Sequence, residues 1–171
     1  MAEPLLRYST VMFDWGDTVM RDDPASIVPM VEWETIEVVA GISAVLGYLH
    51  SSGRRIVLAT SASISDEVQI RGALRRGGLD TYFSHIYCLK NIYLPKGEAF
   101  YRHILNDLNI SPSDVLMVGD GFEKDVRAAN AVGIFAVWFN PVSDETRSSG
   151  LHVTVHSMQD LRVFFRDLDQ K

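Results

Sequence analysis

The chain has 171 residues, enough for one ordinary domain and too few for two comfortable ones. Its 47% hydrophobic and 22% charged residues are the balance of a soluble globular protein and exclude disorder or low complexity over most of the length. With 16 Lys and Arg against 22 Asp and Glu, the formal charge of −6 lacks the broad positive field that non-specific nucleic-acid binding needs.

Cys88 is the one cysteine, so no internal disulfide forms and nothing points to an oxidising compartment. Met1–Tyr8 carries no long apolar core, unlike a secretion signal. The longest apolar-looking stretch, Val38–Leu49, is broken by Gly41, Ser43 and Gly47 and falls short of the about 20 residues of a membrane span. The expectation is a cytoplasmic protein without a nucleic-acid or membrane partner.

In chain order, Thr10–Phe13 is a short apolar run and predicts a strand. Val19–Met30, with Asp22, Asp23, Pro24 and Pro29, reads as a loop. Val31–Leu49 puts Ile36, Val39, Ala40, Ile42, Val45, Leu46 and Leu49 on one helical stripe, with an interruption near Gly41. Arg55–Ala59 predicts the second strand. Asp66–Leu74 predicts a helix with Ser65 as its N-cap. His85–Leu89 predicts the third strand. Glu98–Leu108 carries Phe100, Tyr101, Ile104, Leu105 and Leu108 at helical spacing. Asp114–Val118, the helical Glu123–Val132, Ile134–Phe139, a weaker His152–Val155 and the helical Met158–Leu168 complete the series. Runs that stay apolar without clean alternation belong to strands covered on both faces. The alternation of strands and helices argues for an α/β, three-layer, Rossmann-like domain over residues 1–171, its mainly parallel sheet flanked by helices on both faces.

Polar residues follow directly on the strand runs. Asp14 closes the first, Thr60 and Ser61 the second, and Asp120 the fourth. In open α/β sheets ligands bind outside the carboxyl ends of the strands. Asp14, Asp17, Asp120 and Asp125 would therefore gather at one edge. Two carboxylates about 4 Å apart repel by about 4 kcal/mol at an effective dielectric near 20, so the cluster needs shared protons or a cation. Carboxylate oxygens suit Mg²⁺, which takes one or two of them with waters and a phosphate. Lys96 could bring a further positive charge.

Together these residues resemble the haloacid dehalogenase superfamily of hydrolases, in its small-cap or capless phosphatase-like branch, from about Tyr8 to about Leu161. The motifs are Asp14-Trp15-Gly16-Asp17-Thr18, Thr60 ending the second strand, Lys96 in Leu94-Pro95-Lys96-Gly97, and Gly119-Asp120 followed by Asp125. The resemblance implies a phosphatase with Asp14 as nucleophile forming an aspartyl-phosphate. It implies Mg²⁺ held by Asp14, the Gly16 carbonyl and Asp120, with Asp125 orienting metal waters or Lys96. Thr60, with Ser61 beside it, and Lys96 would hold the transferring phosphoryl group.

One position departs from the pattern. The family's general acid and base is an Asp two residues after the nucleophile, and here that residue is Gly16, with Asp17 one place on. A positioned acid or base contributes about 10²–10⁴-fold. Three readings stay open: Asp17 does the work, the substrate's leaving group departs unprotonated, or the protein binds phosphate or a partner with weak or no turnover. Gly16→Asp is expected to raise hydrolysis of poor leaving groups.

Val19–Arg55 spans 37 residues and Ser61–Pro95 spans 35, too little for a folded cap besides their own elements. The site is expected to be open, with residues 19–33 as a short flap. A large phosphorylated substrate or a neighbouring copy in a homo-oligomer would cover it. Arg71, Arg75 and Arg76 read as a solvated helix face, Trp15 as core packing, and the His residues show no metal spacing.

Overall fold

Six strands pair in parallel, in the order β3-β2-β1-β4-β5-β6, in a computed structural model that describes residues 6–171. Met1–Leu5, part of the stretch considered above for a secretion signal, lies outside the described residues. The strands are β1 (Thr10–Phe13), β2 (Arg55–Ala59), β3 (His85–Tyr87), β4 (Val115–Gly119), β5 (Phe135–Phe139) and β6 (His152–Val155). The principal helices are α1 (Ile42–Ser51), α2 (Glu67–Arg76), α3 (Leu89–Ile92), α4 (Glu98–Leu108), α5 (Ala128–Ala131) and α6 (Met158–Asp169).

Strand residues alternate between two cores. Val11, Phe13, Ile56, Leu58, Leu116 and Val118 pack with Leu46 of α1, Ile70 of α2 and Phe165 of α6. Met12, Val57, Ala59, Val115 and Met117 pack with Phe100 and Ile104 of α4 and Ala129 of α5. Both sheet faces are thus dry, which is why the strand sequences run apolar rather than alternating. The expected three-layer α/β architecture is the observed one. Among the described residues no helix is long and apolar enough to cross a membrane.

Local differences have physical causes. The stripe expected over Val31–Leu49 divides: Met30–Glu32 form a single 3₁₀ turn, and α1 starts only at Ile42. Gly41 stands at φ +83°, a left-handed conformation that favours glycine and turns the chain into α1. Before it, residues 37–39 run beside the segment after β1, with Arg21 N–H donating to Glu37 O at 2.8 Å and Val39 N–H to Val19 O at 2.9 Å. The N-cap of α2 is Asp66 rather than Ser65. Its side chain accepts from Gln69 N–H and the Gln69 side chain accepts from Asp66 N–H, both at 2.9 Å, a reciprocal capping box. Leu89, expected to end β3, instead opens α3, where Cys88 N–H donates to Asn91 Oδ1 at 2.9 Å. The helix expected over Glu123–Val132 begins as a π-helical turn, Phe122–Arg127, before α5.

Candidate active site

β1 lies between β2 and β4, where the strand order changes direction and open sheets place their ligands. Phe13 is level with Leu58 on one side and Val118 on the other, so Asp14 comes level with Ala59 and Gly119, the last residues of β2 and β4. Asp14 N–H still donates to Val118 O at 2.9 Å, which fixes the backbone under its side chain. Asp120 and Thr60 follow one residue further out. Trp138 Nε1–H donates to Asp120 O at 2.9 Å and holds that turn from β5.

Lys96 enters from the start of α4 and is 8% exposed. Its Nζ donates to Asp14 Oδ1 at 2.9 Å and to Asp125 Oδ1 at 2.7 Å. The other Asp125 oxygen accepts from Gly121 N–H at 2.9 Å. The π-helical turn widens the chain at this point and sets Asp125 back over Gly119 and Gly121, where a Cβ on Gly119 would coincide with its carboxylate. Thr18, fully buried, places its hydroxyl 3.4 Å from Asp14 Oδ2 and 3.3 Å from Asp120 Oδ1. Thr60 Oγ1 accepts from Ala62 N–H at 3.0 Å, a turn that ends β2.

Charge is out of balance here. Asp14, Asp120 and Asp125 each offer an oxygen within 4.8 Å of the others, and among the described residues Lys96 is the one cation bonded to this cluster. Burial first, then Asp14 and Asp125, push the Asp120 carboxyl up. Burial first, then Asp14, also raise Asp125, against the pull of Lys96. Burial works against the Lys96 ammonium, but Asp14 and Asp125 outweigh it and raise its pKa, so it stays charged. Three hard oxygen donors with a deficit of positive charge are a donor set suited to a divalent cation.

A cavity of about 280 Å³ opens over Asp14, lined on one side by Thr60, Ser61 and Ile64 and on the other by Asp22, Pro24 and Trp33. Trp15, expected in the core, is 4% exposed and also lines this cavity. The segment expected as a flap forms its far wall and is tied down. Arg76 of α2 donates to Val31 O at 2.9 Å, Trp33 O at 2.6 Å and Glu34 O at 3.1 Å. Trp33 Nε1–H in turn reaches Ser26 Oγ and Val28 O, each at 3.0 Å. Arg71 and Arg75 pair with Asp80 at 2.9 and 3.2 Å. The arginine face is cross-linked as well as solvated: Arg75 and Arg76 are exposed, Arg71 and Arg75 pair with a carboxylate, and Arg76 supplies the donor that three loop carbonyls need.

The structure brings Asp14, Lys96, Asp120 and Asp125 together, with Thr60 and Ser61 on the cavity wall. Asp17 does not join them. It is exposed, sits at φ +58°, accepts from Asp22 N–H at 3.1 Å and lines an adjoining cavity of about 560 Å³ with Arg21, Asp120 and His156. Thr18 and Asp22, given no catalytic or binding role from the sequence, also lie at the site. Thr18 is in the first motif, four residues after Asp14. Asp22 lies in a Pro-containing acidic loop, whose composition carries no address.

A family model for haloacid dehalogenase-like hydrolases matches residues 14–133. Over 94 residues the chain is 31% identical to pyrimidine 5'-nucleotidase PynA of Streptococcus pneumoniae, covering 53% of this chain and 39% of that protein. The chain thus spans well under half of that curated relative. A crystal structure of an uncharacterized protein from Listeria monocytogenes serotype 4b matches with a TM-score of 0.79 at 22% identity, covering 95% of this chain and 99% of that one. A haloacid dehalogenase-like hydrolase from Xanthomonas campestris matches with a TM-score of 0.72 at 15% identity, covering 96% and 97%. A HAD phosphatase from Thermococcus onnurineus matches with a TM-score of 0.63 at 23% identity, covering 75% of this chain and 58% of that one. At these identities the solved structures show a shared fold.

Proposed function

The chain belongs to the haloacid dehalogenase-like hydrolases, and from that premise we propose that it is a Mg²⁺-dependent phosphatase working through an aspartyl-phosphate on Asp14. The observation that carries the reading is Lys96 held at 2.9 Å from Asp14 Oδ1 and 2.7 Å from Asp125 Oδ1, so that it is bonded to the carboxylate that lines a cavity together with Thr60 and Ser61. Mg²⁺ would be held by Asp14, the Gly16 carbonyl and Asp120, with Asp125 beside them. When bound, it supplies charge neutralisation for the transferring phosphoryl group.

The side chains divide the remaining work. Asp14 attacks phosphorus; Lys96 orients its carboxylate and offsets charge on the phosphoryl oxygens. Asp125 fixes Lys96 from behind, since both its oxygens are engaged. Thr18 spaces Asp14 from Asp120. Thr60 and Ser61 supply hydroxyls on the cavity wall to the phosphoryl oxygens. The nucleotidase relative makes nucleoside monophosphates the first esters to try.

Gly16 favours a second reading: a phosphate- or partner-binding protein with weak or no turnover. Hydrolysis of an aryl phosphate with and without Mg²⁺, in wild type and Asp14→Asn, separates the two. The phosphatase requires activity that depends on both the metal and Asp14. Mg²⁺ binding with no hydrolysis in either protein favours the second reading.

A further inference from the structure

Position 16 has no side chain, but the space one would take is filled. A Cβ on Gly16 would lie 2.9 Å from Asp22 Oδ2 and 3.2 Å from Asp22 Cγ. A carboxylate thus stands beside Gly16, delivered by a different residue. The loop that delivers it is well defined. Val19 and Met20 N–H both donate to Trp15 O, at 2.9 and 3.1 Å, and Asp17 N–H donates to Met20 O at 2.7 Å. Asp17 Oδ1 then accepts from Asp22 N–H at 3.1 Å, and Asp22 Oδ1 accepts from Asp23 N–H at 2.9 Å. Among the described residues no donor reaches Asp22 Oδ2, the oxygen next to Gly16. Asp22 lines both the cavity that holds Asp14, Thr60 and Ser61 and the adjoining one, whereas Asp17 lines the adjoining one and not the first.

We infer that Asp22 is the proton donor and acceptor of this site, and that Asp17 is the residue that positions it. The inference rests on the phosphatase reading above. In the first half-reaction an Asp14 oxygen bonds to phosphorus, the bond from phosphorus to the ester oxygen breaks, and that oxygen takes the proton from the Asp22 carboxyl. In the second half, the Asp22 carboxylate takes a proton from water and the water oxygen bonds to phosphorus. The bond from Asp14 to phosphorus breaks, returning the Asp14 carboxylate, inorganic phosphate and protonated Asp22. The expectation that Gly16→Asp alone would gain activity changes accordingly, because its side chain must displace Asp22.

Kinetics in Mg²⁺ on two esters test this: para-nitrophenyl phosphate, whose phenolate departs without a proton, and a nucleoside 5'-monophosphate, whose alkoxide does not. Asp22→Asn should slow the alkyl ester about 10²–10⁴-fold. On the aryl ester it should release a burst of one phenolate per enzyme before a slow steady state, because only the second half-reaction then lacks its base. Gly16→Asp combined with Asp22→Gly should recover alkyl turnover relative to Asp22→Gly alone. Equal losses on both esters without a burst, wild-type rates on the alkyl ester, or a leaving-group split that appears in Asp17→Asn but not in Asp22→Asn overturn the assignment. If Asp14→Asn abolishes turnover in those cases, the phosphatase reading stands without Asp22. If wild type hydrolyses neither ester, both fall.

Discussion

The Asp125 carboxylate rests on Gly119, in the place where any other residue at 119 would carry its Cβ. β4 ends in a glycine because the carboxylate that anchors Lys96 needs that room. Gly119→Ala must push Asp125 off Gly121 N–H and away from Lys96. The expected result is a loss of about 3–5 kcal/mol, the range for breaking a buried ion pair, read by urea denaturation. Hydrolysis should be lost with it.

Lys96 is buried between two carboxylates at hydrogen-bonding distance. Lys96→Met leaves both negative charges facing each other, and should destabilise the metal-free protein by about 3–5 kcal/mol. Adding Asp125→Asn to Lys96→Met removes the uncompensated charge and should recover part of that loss. Strict additivity of the two changes in a double-mutant cycle would contradict the coupling.

The pH dependence of stability follows from the same cluster. Asp120 rises from 3.8 to about 8 and Asp125 from 3.8 to about 6, each by burial first and then by neighbouring carboxylates. Groups raised on folding make the folded state bind more protons than the unfolded one. Their stabilisation is complete below the ordinary value and is lost as pH rises through the folded ones. The metal-free protein should therefore melt at progressively lower temperature between about pH 4 and 8. Burial and the Asp17 and Asp14 charges raise Asp22 as well, against its bond from Asp23 N–H, which adds to the same slope. Asp169, lowered mainly by its bond from Arg54, acts in the opposite sense, but only below its ordinary 3.8. Saturating Mg²⁺ should flatten the slope, as should Asp120→Asn, both followed by calorimetry.

Arg76 holds three carbonyls of the cavity wall through one guanidinium. Arg76→Ala strands those acceptors at the surface, where water replaces the lost donor at a cost of about 1 kcal/mol. The expected kinetic signature is a raised KM with kcat nearly unchanged, since the wall moves but Asp14 and Lys96 do not. A fall in kcat with KM intact would place Arg76 in the chemistry instead.

Much of this organisation is legible in the residues. β1, β2, β6 and α4 have the bounds expected from the apolar pattern, because a strand dry on both faces and an amphipathic helix write their periods directly into sequence. The residues that gather around Lys96 all follow strand ends or open a helix, where the polar register is easy to see. What the pattern hides is contact across loops. The split before α1 turns on the φ of Gly41, and the tethered wall turns on Arg76 reaching carbonyls more than forty residues away. Asp22 reaches Gly16 through hydrogen bonds within a loop, which have no period at all.

At about 280 Å³, the hollow above Asp14 falls at or below the size of common small-molecule pockets, roughly 300–1,000 Å³. An ester seated there by its phosphate would leave most of a nucleoside-sized alcohol outside this hollow. Even an enclosed methylene contributes only about 1–3 kcal/mol of discrimination, and an unenclosed one less. Such a catalyst would be a generalist toward its alcohols, ranking esters by how readily the departing oxygen accepts a proton rather than by the shape of what it carries.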